Sequence, residues 1–313
     1  MKEKNKTKLR EKYNLIRQIY NLRLPVAISL TILNPFGTNK EKPETKPYHT
    51  PRYEIISVEY YNNFGQVKEP VDFKLSPFFQ ELVNQRANSI LSNLYDKGVY
   101  EWSRSVFSQY DDYAERAGID RDLLESLVLI ESRADPKARS PTGPKGLGQF
   151  ARETAIRNGA YISDFIDQRY DPEITLTKLI PNNLNEILQK YRDIGIYNVS
   201  LEQALYTYNK GELTSLDGED LYNTLSDTLQ YYIREIGALR ELIKNDSLKC
   251  ELMPLYSERI EKADIHIFRP NDSLGRIAFL NNTSSRRIIE LNPQLKDYNK
   301  IPKGYPLRIP KEL

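Results

Sequence analysis

The stretch from Leu123 to Ala155, LLESLVLIESRADPKARSPTGPKGLGQFARETA, leaves the chain few ways to fold. Leu123, Leu124, Leu127, Val128 and Ile130 recur at the spacing of a helix with one buried face, and Asp120 precedes them as an N-cap. Glu131 lies on the same stripe, one turn after Leu127. A carboxyl group on an inward face is at odds with its surroundings, because burying its charge is costly. Desolvation there favours the protonated acid near neutral pH, the state a general acid needs. Spacing alone equally admits a paired or helix-terminal carboxylate. After Glu131 the helical pattern stops at Asp135-Pro136, and Ser140-Pro141-Thr142-Gly143 has turn chemistry. Gly143, Gly146 and Gly148 then keep the backbone slim enough for another segment, or a ligand, to approach closely.

Of the 313 residues, 39% are hydrophobic and 28% charged, enough apolar material for one core of moderate size and a smaller module. The net charge of +2 is unevenly spread: residues 1–23 hold eight Lys or Arg against two Glu, so the remainder is net acidic. An uncharged run, Leu24 to Asn39, follows the basic end directly, which argues against a nucleic-acid arm, and no nucleic-acid partner is expected. As a helix that run spans about 24 Å, short of a hydrocarbon core of about 30 Å. Residues 1–39 therefore read as an export signal or a short N-terminal membrane anchor, with the positive flank on the cytoplasmic side and the bulk of the chain exported. A basic amphipathic first helix of a cytosolic domain is the competing reading. The single cysteine, Cys250, excludes an internal disulfide framework. His49 and His266 lack ligand spacing, so neither a metal nor a cofactor is expected.

Residues 40–75 begin as a polar, Pro-rich tether and continue as two β-prone runs around Asn62-Asn63-Phe64-Gly65, the pattern of a hairpin. Residues 76–245 are helical in pattern. One helix starts at Pro77, another carries Trp102 to Tyr113, and others cover Pro172–Tyr191, Leu201–Tyr208 and, as one long element, about Leu221 to Ile243. Tyr206, Tyr208, Tyr222, Tyr231 and Tyr232 suit either stacking on sugar rings or packing between helices. After a polar linker over 246–263, residues 264–313 change character, with a strand at Ile265–Phe268, helices opening at Asn271–Leu274 and Ser284, and a closing strand at Pro306–Pro310. The expected fold class is thus mainly α, followed by a small α+β unit of βααβ plan.

Glu131-Ser132, Asp135-Pro136, Ala138, Ser140-Pro141-Thr142-Gly143, Gly146-Leu147, Gln149 and Thr154-Ala155 together resemble the signature of soluble-type lytic transglycosylases. Asp167 to Pro172 resembles the segment that opens that family's next long helix, and Ala204 to Gly211 resembles its Ala-x-x-Tyr-Asn-x-Gly motif. Tyr231-Tyr232-Ile233 through Ile243 resembles the closing helix of the membrane-bound D-type members. The resemblance covers roughly residues 105–245 and implies a lysozyme-like domain that cleaves bacterial peptidoglycan. By the same resemblance Glu131 is the catalytic acid and base. Ser140, Gln149, Tyr208 and Asn209 surround the substrate, with Tyr208 orienting Glu131, and Ser132 supports the turn. Pro144-Lys145 departs from the family's small residues, and Gly148 stands where Met or Trp is usual.

The βααβ unit resembles a LysM domain, a module that binds N-acetylglucosamine-containing glycans. Asn271 replaces the usual Gly and Ser273 the usual Thr. Asn271, Asp272, Ser273, Leu274, Asn292 and Pro293 are its implied glycan-binding residues. A flexible link would let it raise the local concentration of wall glycan, the expected partner, without taking part in the chemistry. Two other readings stay open. A goose-type muramidase would hydrolyse with water and need a second carboxylate among Asp164, Asp167 and Asp171. A non-catalytic scaffold would rely on the LysM-like module alone.

Overall fold

The computed structural model describes residues 73–248 and 263–311. The expected export segment or anchor, nearly all of the tether and hairpin over 40–75, and most of the linker lie outside the described residues. No helix among the described residues is long and apolar enough to cross a membrane.

The acid-bearing helix, Arg121–Ser132, is the centre of the larger body. Asp120 caps it by accepting from the Asp122 N–H at 2.9 Å. Leu123, Leu124, Leu127, Val128 and Leu129 are all buried, and so are Glu125 and Ser126 on the face the periodicity assigned to solvent. Burial of Glu125 is tolerated because Arg104 donates to it at 2.7 Å, while Ser126 bonds back to the Leu123 carbonyl. The helix ends where Arg133 and Ala134 adopt left-handed backbone in succession, with the Arg133 N–H returning to the Leu129 carbonyl. Glu131 therefore projects from a fixed last turn.

Two long helices, Pro77–Ser92 and Asp227–Lys244, brace that centre. They meet at Gly237, where a Cβ would stand 2.5 Å from Val83, so the crossing needs a residue without a side chain. Arg86 and Tyr100 both donate to the buried Glu235, and Arg240 joins the closing helix to Asp120 and to the Phe73 carbonyl. The element expected as one helix over Leu221–Ile243 is split into Gly218–Thr224 and Asp227–Lys244. Ser226 is extended between them, and the Gln230 amide holds the corner by donating to the Tyr222 and Leu225 carbonyls. Likewise Pro172–Ile174 passes through a π-helical turn, Thr175–Leu179, before Ile180–Asp193.

The C-terminal unit follows the expected βααβ order. Strands Ala263–Ile267 and Pro306–Pro310 pair antiparallel with Ile265 opposite Arg308, and helices Leu274–Leu280 and Ser285–Leu291 lie between them in sequence. Its core is Ile277, Ile288, Leu295, Leu307 and Ile309, and Ile166 of the larger body is buried in the same cluster. The two units are thus packed together, where a freely tethered module was expected.

Candidate active site

Glu131 is half-buried at the end of its helix, and burial pushes its carboxyl up to about 7. The negative end of the helix dipole acts in the same direction. One group opposes the shift: the Tyr232 hydroxyl, from the closing helix, donates to Glu131 Oε1 at 2.6 Å. Among the described residues no charged neighbour contributes. Burial, and then the proximity of Glu131, raise the hydroxyls of Tyr232 and Tyr208 well above the usual tyrosine range, so both stay protonated donors when Glu131 ionises. The result is a single carboxyl able to give or take a proton near neutrality.

Tyr208 does not orient Glu131 by hydrogen bonding. Its hydroxyl donates to the Gly148 carbonyl at 3.3 Å and its ring lies edge-on to Phe150, 5.9 Å between centroids. The orienting role falls to Tyr232, with Asn209 hydrogen-bonded to that tyrosine. Sequence reasoning placed Tyr232 in the closing helix, among tyrosines suited to sugar stacking or helix packing, but did not connect it to Glu131. Its partner is 101 residues away, and a lone Tyr on a helix face has no local signature.

The glycine-rich loop is held as a compact unit beside the acid. Lys145 and Phe150 exchange backbone hydrogen bonds at 3.2 Å, and Gly146 lies so close to the Arg169 carbonyl that a Cβ would stand 1.6 Å from it. Gly148 faces the Phe150 ring, 2.7 Å from where its Cβ would be, so Phe150 fills the space in which a larger residue at 148 would sit. Gln149 has left-handed backbone, φ 46°, a strained conformation kept by its amide bonding to the Gly146 carbonyl at 2.8 Å. Ser140 is paired with the Thr142 hydroxyl at 2.8 Å, at the loop tip, and makes no hydrogen bond to Glu131. Ser132 is buried and bonds back to the Val128 carbonyl at 3.2 Å.

The three aspartates considered as second carboxylates have other surroundings. Asp164 is exposed on its own turn. Asp167 is buried against Arg169, at 2.7 and 2.8 Å, with Lys145 at 3.5 Å. Asp171 caps the following helix and is gripped by Arg308 at 2.8 and 3.1 Å. Among the described residues no group of three His, Cys, Asp or Glu could hold a metal ion.

Comparison with known proteins agrees with this geometry. Residues 109–228 match the family described as Transglycosylase SLT domain, and residues 266–310 match the LysM domain. The chain carries an SLT domain followed by a LysM domain. It is 31% identical over 117 residues to the peptidoglycan transglycosylase gp16 of Escherichia phage T7. It is 34% identical over 98 residues to the membrane-bound lytic murein transglycosylase F of Desulfosudis oleivorans, and 29% over 100 residues to the membrane-bound lytic murein transglycosylase F 1 of Alkalilimnicola ehrlichii. These matches cover 36%, 31% and 29% of this chain but only 8%, 20% and 19% of the relatives. The chain therefore shares one domain's length with them and not their whole architecture.

Within the LysM domain the six implied glycan residues separate into two groups. Asn271 and Ser273 are exposed, Pro293 is half-buried, and Asp272 is locked by accepting from His266 Nε2 at 2.7 Å and the Arg269 N–H at 2.8 Å. Leu274 and Asn292 face inward instead. Leu274 is in the core, and the Asn292 amide donates to the Ile288 and Arg308 carbonyls while accepting from the Arg308 N–H. The side-chain amide and carbonyl of Asn292 are thus bonded within the fold, to Ile288 in its own helix and to Arg308 in the last strand.

Proposed function

We propose that this protein is a peptidoglycan lytic transglycosylase, in which Glu131 cleaves the bond between N-acetylmuramic acid and N-acetylglucosamine without water. The observation that carries the reading is a neutral-range carboxyl on which, among the described residues, no other charged group acts. A hydrolase built on two carboxyls needs the second at roughly 5–9.5 Å, whereas Asp167 and Asp171 are committed to guanidinium partners.

Protonated Glu131 gives its proton to the glycosidic oxygen as the C1–O bond breaks, and the N-acetylglucosamine chain leaves. The substrate's 2-acetamido group stabilises the cationic C1. Glu131, now a carboxylate held by Tyr232, takes the proton of the muramic C6 hydroxyl, and that oxygen closes onto C1 to form the 1,6-anhydro ring. The acid is regenerated and atoms balance with no water consumed. The loop supplies Gln149 to the substrate sugar and Ser140 to the acetamido group, and the helix Leu201–Lys210 supplies Tyr208 to the cleft wall. Asn271, Asp272, Ser273 and Pro293 form the second glycan contact, on the LysM domain. The substrate places the protein in the cell envelope, with residues 1–39 as export segment or anchor. A reporter active only outside the cytoplasm, fused behind the tether, should give signal.

Mass spectrometry of digested peptidoglycan tests the reaction. The expected muropeptides are lighter than hydrolytic products by one water. Reducing, hydrated ends would assign the protein to the muramidases instead, and no soluble product from several walls would leave it a scaffold.

A further inference from the structure

The contact between the two domains is built like an interior. Ile166 is fully buried among LysM side chains. On either side of it the backbones pair, with the Asp167 N–H donating to the Gln294 carbonyl at 2.9 Å and the Lys296 N–H to the Phe165 carbonyl at 2.8 Å. Arg308, 4% exposed, reaches from the last strand to grip Asp171 with two nitrogens and Glu173 at 2.9 Å. A bidentate guanidinium–carboxylate pair closed off from solvent fixes orientation as well as distance.

This seam is continuous with the catalytic loop. Asp167, held from behind by Gln294, clasps Arg169, and Arg169 Nη1 donates to the carbonyls of Gly143 at 3.3 Å and Phe150 at 3.2 Å. Those carbonyls bracket the glycine-rich loop, and Gly146 rests on the Arg169 carbonyl between them. Three glycines make that loop costly to order unless something outside it restricts the backbone.

We propose that the LysM domain is a fixed buttress of the catalytic loop, and that Arg308 is a positioning residue for cleavage. The inference rests on the transglycosylase reading for its kinetic consequence only. Arg308 acts through Asp171 and the turn at Gln168–Tyr170, which present the Asp167–Arg169 clasp to the loop. Glycan binding by the LysM domain is a separate property and does not require this seam.

The test uses the full chain with Arg308→Lys, which keeps the charge and loses the two-pronged grip, and Glu173→Gln, a milder change at the same seam. The assay substrate is a short soluble glycan tetrasaccharide, so that retention on the insoluble wall does not enter the readout. With Arg308→Lys, kcat should fall about 10- to 100-fold, the scale of an ångström of misplacement, while KM moves less than about twofold. The alkaline limb of kcat should stay where wild type has it. Amide exchange over 143–150 should speed up, with the helices Arg121–Ser132 and Asp227–Lys244 keeping their protection. Glu173→Gln should give the same pattern, smaller. Wild-type loop exchange in both variants would overturn the buttress, as would a change in KM alone. If the wild-type protein releases no product, the reaction reading fails by itself, and the exchange measurement still decides the seam.

Discussion

Two groups of buried and half-buried carboxyls in this molecule have opposite surroundings. Among the described residues Glu131 has a hydroxyl donor and no charged partner, and burial pushes its carboxyl up to about 7. Burial pushes Asp167 and Glu173 upward too, but Arg169 with Lys145 outweighs it for Asp167, and Arg308 with Arg116 outweighs it for Glu173, so both end below the usual range. The difference lies in the neighbours and not in the residue type. A carboxyl denied a cation becomes a proton carrier, and one given a cation becomes a structural fastening.

The largest expected effect is at Glu131. Glu131→Gln keeps the shape and removes the transferable proton, so wall cleavage should fall by on the order of 10²–10⁴-fold, read as soluble muropeptide released per minute. Asp167→Asn makes the same chemical change at the seam, where it leaves Arg169 buried and unpaired. Its cost should be about 3–5 kcal/mol of unfolding free energy, measured in urea. An Asp167→Asn protein as stable as wild type would show that the seam carboxylate fastens nothing.

Stability against pH separates the groups by sign. Glu131 has a raised folded value, so its contribution is complete below its ordinary 4.5 and declines as pH rises through about 7. At pH 8, then, Glu131→Gln should be more stable than wild type, by up to about 3 kcal/mol at 1.36 kcal/mol per pKa unit. Asp167 and Glu173 have lowered folded values, so their contribution is present above about 4 and disappears as pH falls through those values. Denaturation curves of wild type and Glu131→Gln at pH 5 and pH 8 give the comparison. Equal differences at both values would mean that Glu131 is not shifted.

Much of the first region was legible in the sequence, because local rules and the fold agree there. A carboxyl on an apolar stripe, Asp120 as its cap and glycines before Gln149 are all short-range signals, and each has a structural reason in the fold. The βααβ plan was legible for the same reason. Tyr232, the seam and the break at Ser226 were not. Arg308 sits in the closing strand and reads as an ordinary polar residue until Asp171, 137 positions earlier, is brought against it. Ile166 reads as a core residue of the domain that precedes it, yet it is buried with the LysM core. Gly237 carries no helix-breaking context, and only the approach of Val83 explains it. Long-range pairings of this kind leave no periodicity to count.

The smallest predicted effect concerns the hydrogen bond between Tyr232 and Glu131. Tyr232 lowers the proton affinity of Glu131 by donating to its charged form. Tyr232→Phe removes that donor while keeping the ring, so Glu131 should become harder to ionise and its value should rise further. Two consequences follow from the same bond. The alkaline limb of kcat should move up by about one pH unit, since the acid form persists longer, and a hydrogen bond to a charged group is worth about 1.5–3 kcal/mol. At the optimum kcat should nevertheless drop about 10-fold, because the carboxylate formed midway through turnover loses its support. Tyr208→Phe is the control that sharpens the contrast. It breaks the bond to the Gly148 carbonyl and leaves Tyr232 on Glu131, so turnover should fall with the limb in place. Profiles of kcat from about pH 5 to 9 for wild type and both variants decide the matter. A Tyr232→Phe limb that stays put or moves to lower pH would mean that this hydroxyl does not tune the acid, and that the shift in Glu131 comes from burial alone.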